Sequence, residues 1–331
     1  YRGKQIWEGI YKNLWLTPEE FTNLPKSLRE KMSELLTFDV LKPVLIQESK
    51  EGDTQKTLYE LHDGQRIETV IMHYEREEGQ DRNTVCISTQ VGCGMGCKFC
   101  ATGQMGFKRQ LSSGEIVAQV IYAARHLQDV GEALTNVVVM GMGEPFHNYD
   151  ETLAALARLN DADGFAFGAR RFTISTVGLV PMIWKFAEEN LQYNLAISLH
   201  AADDDLRSSM LPINDKYPIN KVLEACRHYV DTTHRQITFE WALIEGVNDT
   251  PDQAFILARK LKGLLCHVNA IPLNSTRDFH GRGSGSERAK IFKDTLEEHG
   301  VSCSIRAHRG IDIQAGCGQL ASRENQNQIT A

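Results

Sequence analysis

From residue 84 to residue 307 the chain alternates between short β-rich runs and helix-like stretches, and this rhythm restricts its fold more than any other feature. The β-rich runs are TVCIST (84–89), TNVVVM (135–140), RFTIST (171–176), YNLAIS (193–198), ITFEWALI (237–244), CHVNAIP (266–272) and SCSIRA (302–307). Between them lie helix-like stretches such as SSGEIVAQVIYAARHL, MIWKFAEEN, NKVLEACRHYV, DQAFILARKL and SERAKIFKDTLEEHG. Parallel strands cannot be joined by a tight turn, and each crossover needs a dozen or more residues, usually a helix. The alternation therefore predicts an α/β fold with a parallel sheet covered by helices. Six units followed by a last strand fit a partial (β/α)6 barrel, with a doubly wound sheet as the alternative.

The segment before this rhythm has a different character. Ile6, Trp7, Ile10, Tyr11 and Leu14 recur at helical spacing, and a second helical run extends from Pro18 to Leu36. Residues 1–50 are expected to form a small helical accessory module, and residues 51–83 a β-hairpin extension turning at Asp63 and Gly64. The polar EREEGQDRN marks a boundary near residue 80, the barrel occupies 84–320, and 321–331 is a polar tail. Tyr1 lacks both a starting methionine and a signal-peptide pattern, which reads as a trimmed edge. No stretch approaches the roughly 20 apolar residues of a membrane span.

Charge and cysteine usage narrow the function classes. A net charge of −7 argues against a protein that coats nucleic acid by bulk electrostatics. Local basic grooves remain open to it, with candidates at Lys108 and Arg109, Arg170 and Arg171, Arg277 and Arg282, and Arg306, His308 and Arg309. Eight cysteines could pair, but three crowd into CGMGCKFC, and a chain of 331 residues needs no disulfide framework to fold. A reducing cytoplasm is the expected setting.

Three thiolates at C-x3-C-x2-C spacing, Cys93, Cys97 and Cys100, are ligands for zinc or for an iron–sulfur cluster. Structural zinc usually takes two separated ligand pairs; here there is no second pair, and the following ATGQMGF holds no histidine. A 4Fe-4S cluster held by three cysteines keeps one iron open for a small molecule. Glycines at 92, 94 and 96 suit a loop wrapped closely round such a cluster. In a β/α barrel the chemistry gathers at the C-terminal ends of the strands. The cysteine triplet, GMGEP (141–145), Ser175, Ser198 with His200, Asn274 and Cys317 all fall after or at the end of a β-rich run.

CGMGCKFC resembles the cluster loop of the radical S-adenosylmethionine (SAM) superfamily, and GMGEP resembles its glycine-rich SAM loop. QVGCGMGCKFCATGQMGFKRQL, MGMGEP, STVGLVP, SLHA, LPIN, VNAIPLN and IDIQAGCGQL, in this order, are similar to the RlmN family of adenine carbon 2 methyltransferases, over about Tyr1 to Leu320. The resemblance implies a radical SAM barrel, a 4Fe-4S cluster and SAM as cofactors, and 23S rRNA and tRNA as partners. It also implies an external low-potential electron donor, and the chain is read as a monomer without membrane association. In such a reaction one SAM methylates a cysteine near the C-terminus, and a second SAM yields a radical that takes hydrogen from that methyl group. The resulting carbon radical adds to adenine and leaves RNA covalently attached.

Residue by residue, the resemblance assigns Cys317 as the methyl carrier and Cys86 as the thiol that resolves the crosslink by forming a disulfide with it. Glu68 corresponds to the proton acceptor, although a carboxylate in a hairpin would by default face solvent. Gly143, Glu144, Ser175, Ser198, Leu199, His200 and Asn274 correspond to SAM-contacting positions, with Glu144 able to accept from the ligand. Cys226, Cys266 and Cys303 have no counterpart and are read as ordinary buried residues. Gln314, Ala315 and Gly316 depart from the acidic residue and two alanines common in the family, and Gly316 is expected to loosen the carrier loop. Phe146 and His147 depart as well. The Cfr type, which methylates carbon 8, is the rival; Pro145, Asn148 and Tyr149 favour carbon 2. A non-catalytic RNA-binding module with a degenerate cluster is the alternative of another class. The N-terminal module is expected to grip RNA, or else to cap the barrel.

Overall fold

The computed structural model describes residues 1–75, 81–306 and 309–321. The boundary segment at 76–80, His308 and the tail from 322 lie outside the described residues. Among the described residues the chain begins with helices α1 (Arg2–Tyr11) and α2 (Lys26–Leu35). Strands β1 (Lys42–Glu48), β2 (Thr54–Glu60) and β3 (Arg66–Tyr74) follow. Next come β4 (Arg82–Cys86), β5 (Gln90–Gly92), the single turn α3 (Ala101–Gln104) and β6 (Phe107–Gln110). The regular units are α4 (Ser113–Asp129), β7 (Asn136–Val139), α5 (Tyr149–Asn160), β8 (Phe172–Thr176), α6 (Val180–Glu188) and β9 (Asn194–Ser198). They continue with α7 (Asp204–Met210), α8 (Ile219–Thr233), β10 (Ile237–Leu243), α9 (Pro251–Leu261), β11 (Cys266–Pro272), α10 (Ser286–Glu298) and β12 (Cys303–Ile305).

Ten strands form one sheet in the order β1-β2-β3-β4-β7-β8-β9-β10-β11-β12. From β4 to β12 every neighbour is parallel, and the order never reverses. A doubly wound sheet reverses its strand order at a switch point; this one does not, and is a partial β/α barrel. Side chains from both sides close the core, with Phe172, Ile174, Phe239, Trp241 and Val268 wholly buried against Ile183, Phe186, Tyr229 and Phe292 of the helices. Each such side chain contributes about 1.5–3 kcal/mol on leaving water. Helix α4 starts where a capping box predicts: Ser112 Oγ accepts from the Glu115 N–H, and Glu115 returns a bond to the Ser112 N–H.

Two features of the N-terminal part depart from the sequence expectation. Residues 42–48, within the stretch assigned to the helical module, form β1, which pairs with β2. The hairpin at Asp63 and Gly64 is present, but its strands are integral to the barrel sheet: β3 pairs with β4, placing Val70 opposite Cys86. The helical module itself has a small core of Phe21, Leu24 and Met32. It docks on the barrel through Trp7 against Gly164 and through Arg125 of α4, which donates to the Leu14 carbonyl and the Glu20 carboxylate, each at 3.0 Å. No described helix is long and apolar enough to cross a membrane. Cys226, Cys266 and Cys303 are buried, as expected.

Candidate active site

The parallel strands deliver their C-terminal ends to one cavity of about 220 Å³. Cys86, Gly143, Glu144, Ser175, Ser198, His200, Asn274 and Cys317 line it together with Cys93, Cys97 and Cys100. Two expected residues take other positions. Leu199 does not line the cavity: its side chain packs in the hydrophobic core, its N–H donates to the Glu240 carbonyl at 3.2 Å and its carbonyl accepts from Arg207 at 3.1 Å. Glu68 does not line the cavity and does not face solvent: it is 2% exposed, ion-paired to Lys56 at 3.1 Å, and accepts from the Ala321 N–H at 2.7 Å.

The cysteine loop is shaped by β5 and β6. The Cys93 N–H donates to the Gly106 carbonyl at 3.0 Å, and a Cβ at Gly92 would lie 1.9 Å from that same oxygen. Gly92 and Gly96 have φ of +70° and +65°, a region costly for L side chains. Gly94 has no such requirement; a Cβ there would meet Phe107 at an ordinary 3.6 Å. Burial pushes the Cys93 thiol up to about 12, and burial with the neighbouring Cys100 and Cys93 raises Cys97 well above the usual thiol range. Cys93 and Cys97, raised in this way, become thiolates only beside concentrated positive charge. Among the described residues no three His, Cys, Asp or Glu surround a single ion. A cavity wall carrying three sulfurs, beside space for a ligand, fits an iron–sulfur cluster with an open coordination site.

The glycine-rich segment after β7 is pressed against the barrel. A Cβ at Gly141 would sit 2.7 Å from the Ile87 carbonyl, and one at Gly143, whose φ is +103°, 2.6 Å from the Gln90 side chain. Gln90 Oε1 accepts from the Glu144 N–H at 2.8 Å, fixing the loop. The Glu144 oxygens accept from the Phe146 N–H at 3.0 Å and the Val177 N–H at 2.8 Å. Burial pushes this carboxyl up to about 7 despite those donors. Ser175 and Ser198 hydroxyls lie 3.3 Å apart. His200, at φ +62°, uses Nδ1 to accept from the Ala242 N–H at 2.9 Å, so its proton resides on Nε2. Burial, with the Arg207 charge, pushes its pKa down to about 3, so the ring stays neutral.

The segment bearing Cys317 is held by three hydrogen bonds. The Asn274 amide donates to the Cys317 carbonyl at 3.1 Å, the Ala101 N–H to the Gly318 carbonyl at 2.7 Å, and the Thr102 hydroxyl to the Leu320 carbonyl at 2.7 Å. Gly316 does not loosen this loop: a Cβ there would lie 2.5 Å from Asn274 Nδ2, so glycine permits the tight approach. The Cys317 side is exposed within the cavity, whereas Cys86 is buried. Both thiols are free, and burial, with Cys317 nearby, pushes Cys86 up to about 12.

Three contributors escaped the sequence reading. Arg207, with no exposed surface, donates to the carbonyls of Leu199 and Val177 at 3.1 and 2.7 Å and to Asn214 Oδ1 at 2.8 Å, clamping the ends of β8 and β9. Glu240 lines the cavity at 7% exposure and is pushed up to about 7 by burial, against the Arg306 charge. A lone acid in the otherwise apolar ITFEWALI was the available signal. Tyr74 also lines the wall, and nothing in its hairpin run distinguished it.

Comparison with known proteins sets this geometry in a family. The model of the Radical SAM superfamily matches residues 87–256. A solved radical SAM methyltransferase from Sphaerobacter thermophilus superposes with a TM-score of 0.94 at 49% identity, covering 98% of this chain and 93% of its own. The fold and site are thus those of a SAM-dependent radical SAM enzyme, a class that uses a 4Fe-4S cluster. A relative from Chloroflexus aurantiacus named "Probable dual-specificity RNA methyltransferase RlmN" is 46% identical over 98% of this chain and 88% of its own length. One of the same name from Geobacillus kaustophilus is 44% identical over 99% and 88%. The chain belongs to the RlmN family of radical SAM RNA methyltransferases.

Proposed function

We propose that this enzyme forms 2-methyladenosine in 23S rRNA and in tRNA next to the anticodon, with Cys317 carrying the methyl group. The observation that supports this reading is the placement of two free thiols, Cys317 and Cys86, on the wall that also bears the cysteine triplet. Cys93, Cys97 and Cys100 hold the cluster; Gly143, Glu144, Ser175, Ser198, His200 and Asn274 hold SAM. When bound, the cluster and SAM supply a carbon radical that abstracts hydrogen from the methylated cysteine.

The chain's own residues do the rest. Burial raises the Cys317 thiol above its ordinary range, with the Arg306 charge opposing the shift, and as thiolate it accepts a methyl group from SAM. Once its carbon is bonded to adenine and the adduct has given up the ring proton and one electron, for which the cluster would be the acceptor, the Cys86 thiolate attacks the Cys317 sulfur. The carbon–sulfur bond breaks, its electron pair stays on the carbon, which takes a proton, and a Cys86–Cys317 disulfide remains. Two electrons and two protons restore the thiols. Glu68 accepts the ring proton only once Ala321 releases its carboxylate, whereas Glu240 already faces the cavity. The N-terminal helices grip RNA beside the base, which must be unstacked to enter. The cytoplasm and an external low-potential electron donor complete the setting.

The test is peptide mass spectrometry of the protein with its cluster intact, followed by nucleoside analysis of treated RNA against 2- and 8-methyladenosine. One added methyl on the Cys317 peptide and a 2-methyladenosine product are expected. An unmodified Cys317 in active enzyme would refute the carrier role, and 8-methyladenosine the choice of carbon.

A further inference from the structure

Tyr74, at the end of β3, is enclosed by three arginines: Arg82, its partner on the neighbouring strand β4, and Arg306 and Arg309, more than 230 positions further along the chain. The Arg82 guanidinium lies 4.5 Å from the ring centroid, that of Arg309 lies 4.4 Å from it, and Arg306 donates to the phenol oxygen at 2.8 Å. Tyr74, Arg306 and Arg309 line the cavity that holds Cys317, and these three residues and Arg82 are half-buried. Two carboxyl groups oppose this charge: Asp53, paired with Arg309, and Glu240, within electrostatic reach of Arg306. The cluster thus keeps a net positive charge on a chain whose net charge is −7.

An arginine over an aromatic ring uses its π face there, which leaves its in-plane N–H fork suited to phosphate. Pre-ordering three long side chains around one tyrosine also removes much of the entropy they would lose on binding. We propose that Tyr74, Arg82, Arg306 and Arg309 form a phosphate site that grips the RNA backbone beside the adenosine entering the cavity. This inference rests on the RNA methyltransferase reading above. Phosphate contacts position the strand without reading its sequence, so the site fixes where the base enters rather than which base it is.

The experiment measures binding of an RNA hairpin with an unpaired loop adenosine to the cluster-loaded protein across a salt series. For R82Q/R309Q the expected result is an affinity weaker by on the order of tenfold or more and a logarithmic salt slope shallower by about 1.4, at about 0.7 per single-strand phosphate contact. The charge-keeping R82K/R309K should retain most of the slope while losing affinity, and the single R82Q, which leaves the Arg309 contacts with Asp53 and His73 intact, serves if the double variant folds poorly. A merely structural role would lower the thermal midpoint and leave the slope unchanged, which overturns the proposal. Competition by polyglutamate as effective as that by unlabelled RNA would overturn it too. Wild-type protein that fails to bind RNA at all refutes the functional reading itself, so the two failures are distinct.

Discussion

Replacing Glu240 by Gln should make the protein more stable at alkaline pH and leave it unchanged near pH 4. The carboxyl is 7% exposed, and burial raises its pKa from 4.5 to about 7 even though Arg306 and the Asn269 amide, donating at 2.7 Å, favour ionisation. Ionising it therefore costs about 3 kcal/mol more in the fold than in the unfolded chain. The sign follows from proton linkage: between pH 4.5 and about 7 the folded state binds more protons than the unfolded state, so stability falls as pH rises through that window and levels off above it. Glutamine keeps an oxygen for Asn269 and has no charge to bury, so E240Q should recover about 2–3 kcal/mol at pH 8. Urea unfolding of cluster-loaded wild type and E240Q at intervals from pH 4 to 8.5 measures the difference. Parallel stability profiles, or a variant less stable than wild type at pH 8, would show that Arg306 holds Glu240 ionised and that the reasoning is wrong.

Other substitutions test the site directly. C86A should accumulate RNA bound covalently through Cys317, and C317A should yield neither adduct nor product, as read on denaturing gels with labelled RNA. G316A, which drives a Cβ to 2.5 Å from the Asn274 amide, should displace the carrier segment. It should cut the rate of Cys317 methylation by more than tenfold while shifting the thermal midpoint little; an unchanged rate would show that this hold on the segment is not needed. R207M strands the buried carbonyls of Leu199 and Val177 and the Asn214 side chain, and should destabilise the fold by about 3–5 kcal/mol in urea titration.

Much of the barrel was legible because its signals are local. Each strand of the parallel set coincides with a run of β-branched and aromatic residues, and α4 begins at a capping box that can be read from Ser112 and Glu115 alone. The β5–β6 ribbon was missed because strands of three and four residues carry too little alternation to register, and β1 because its burial is irregular along an edge. The short helix α7 spans too few residues to register a period, whereas α5, YDETLAALARLN, carries a helical pattern in its Leu and Ala residues.

The amino-acid order alone determined the β/α alternation, the cysteine triplet with its flanking glycines, and the residues whose types suit the chemistry; these are properties of neighbours in sequence. Only the tertiary structure decided what those residues meet. Strand order, which separates a partial barrel from a doubly wound sheet, is a matter of long-range pairing. Folding brings Cys86 and Cys317, 231 positions apart, onto one wall, and seats Glu68 under Ala321 rather than in solvent. It converts Glu240 and Glu144 into carboxyls that titrate near neutrality, because a pKa depends on surrounding dielectric and charge, and neither exists until the chain is packed.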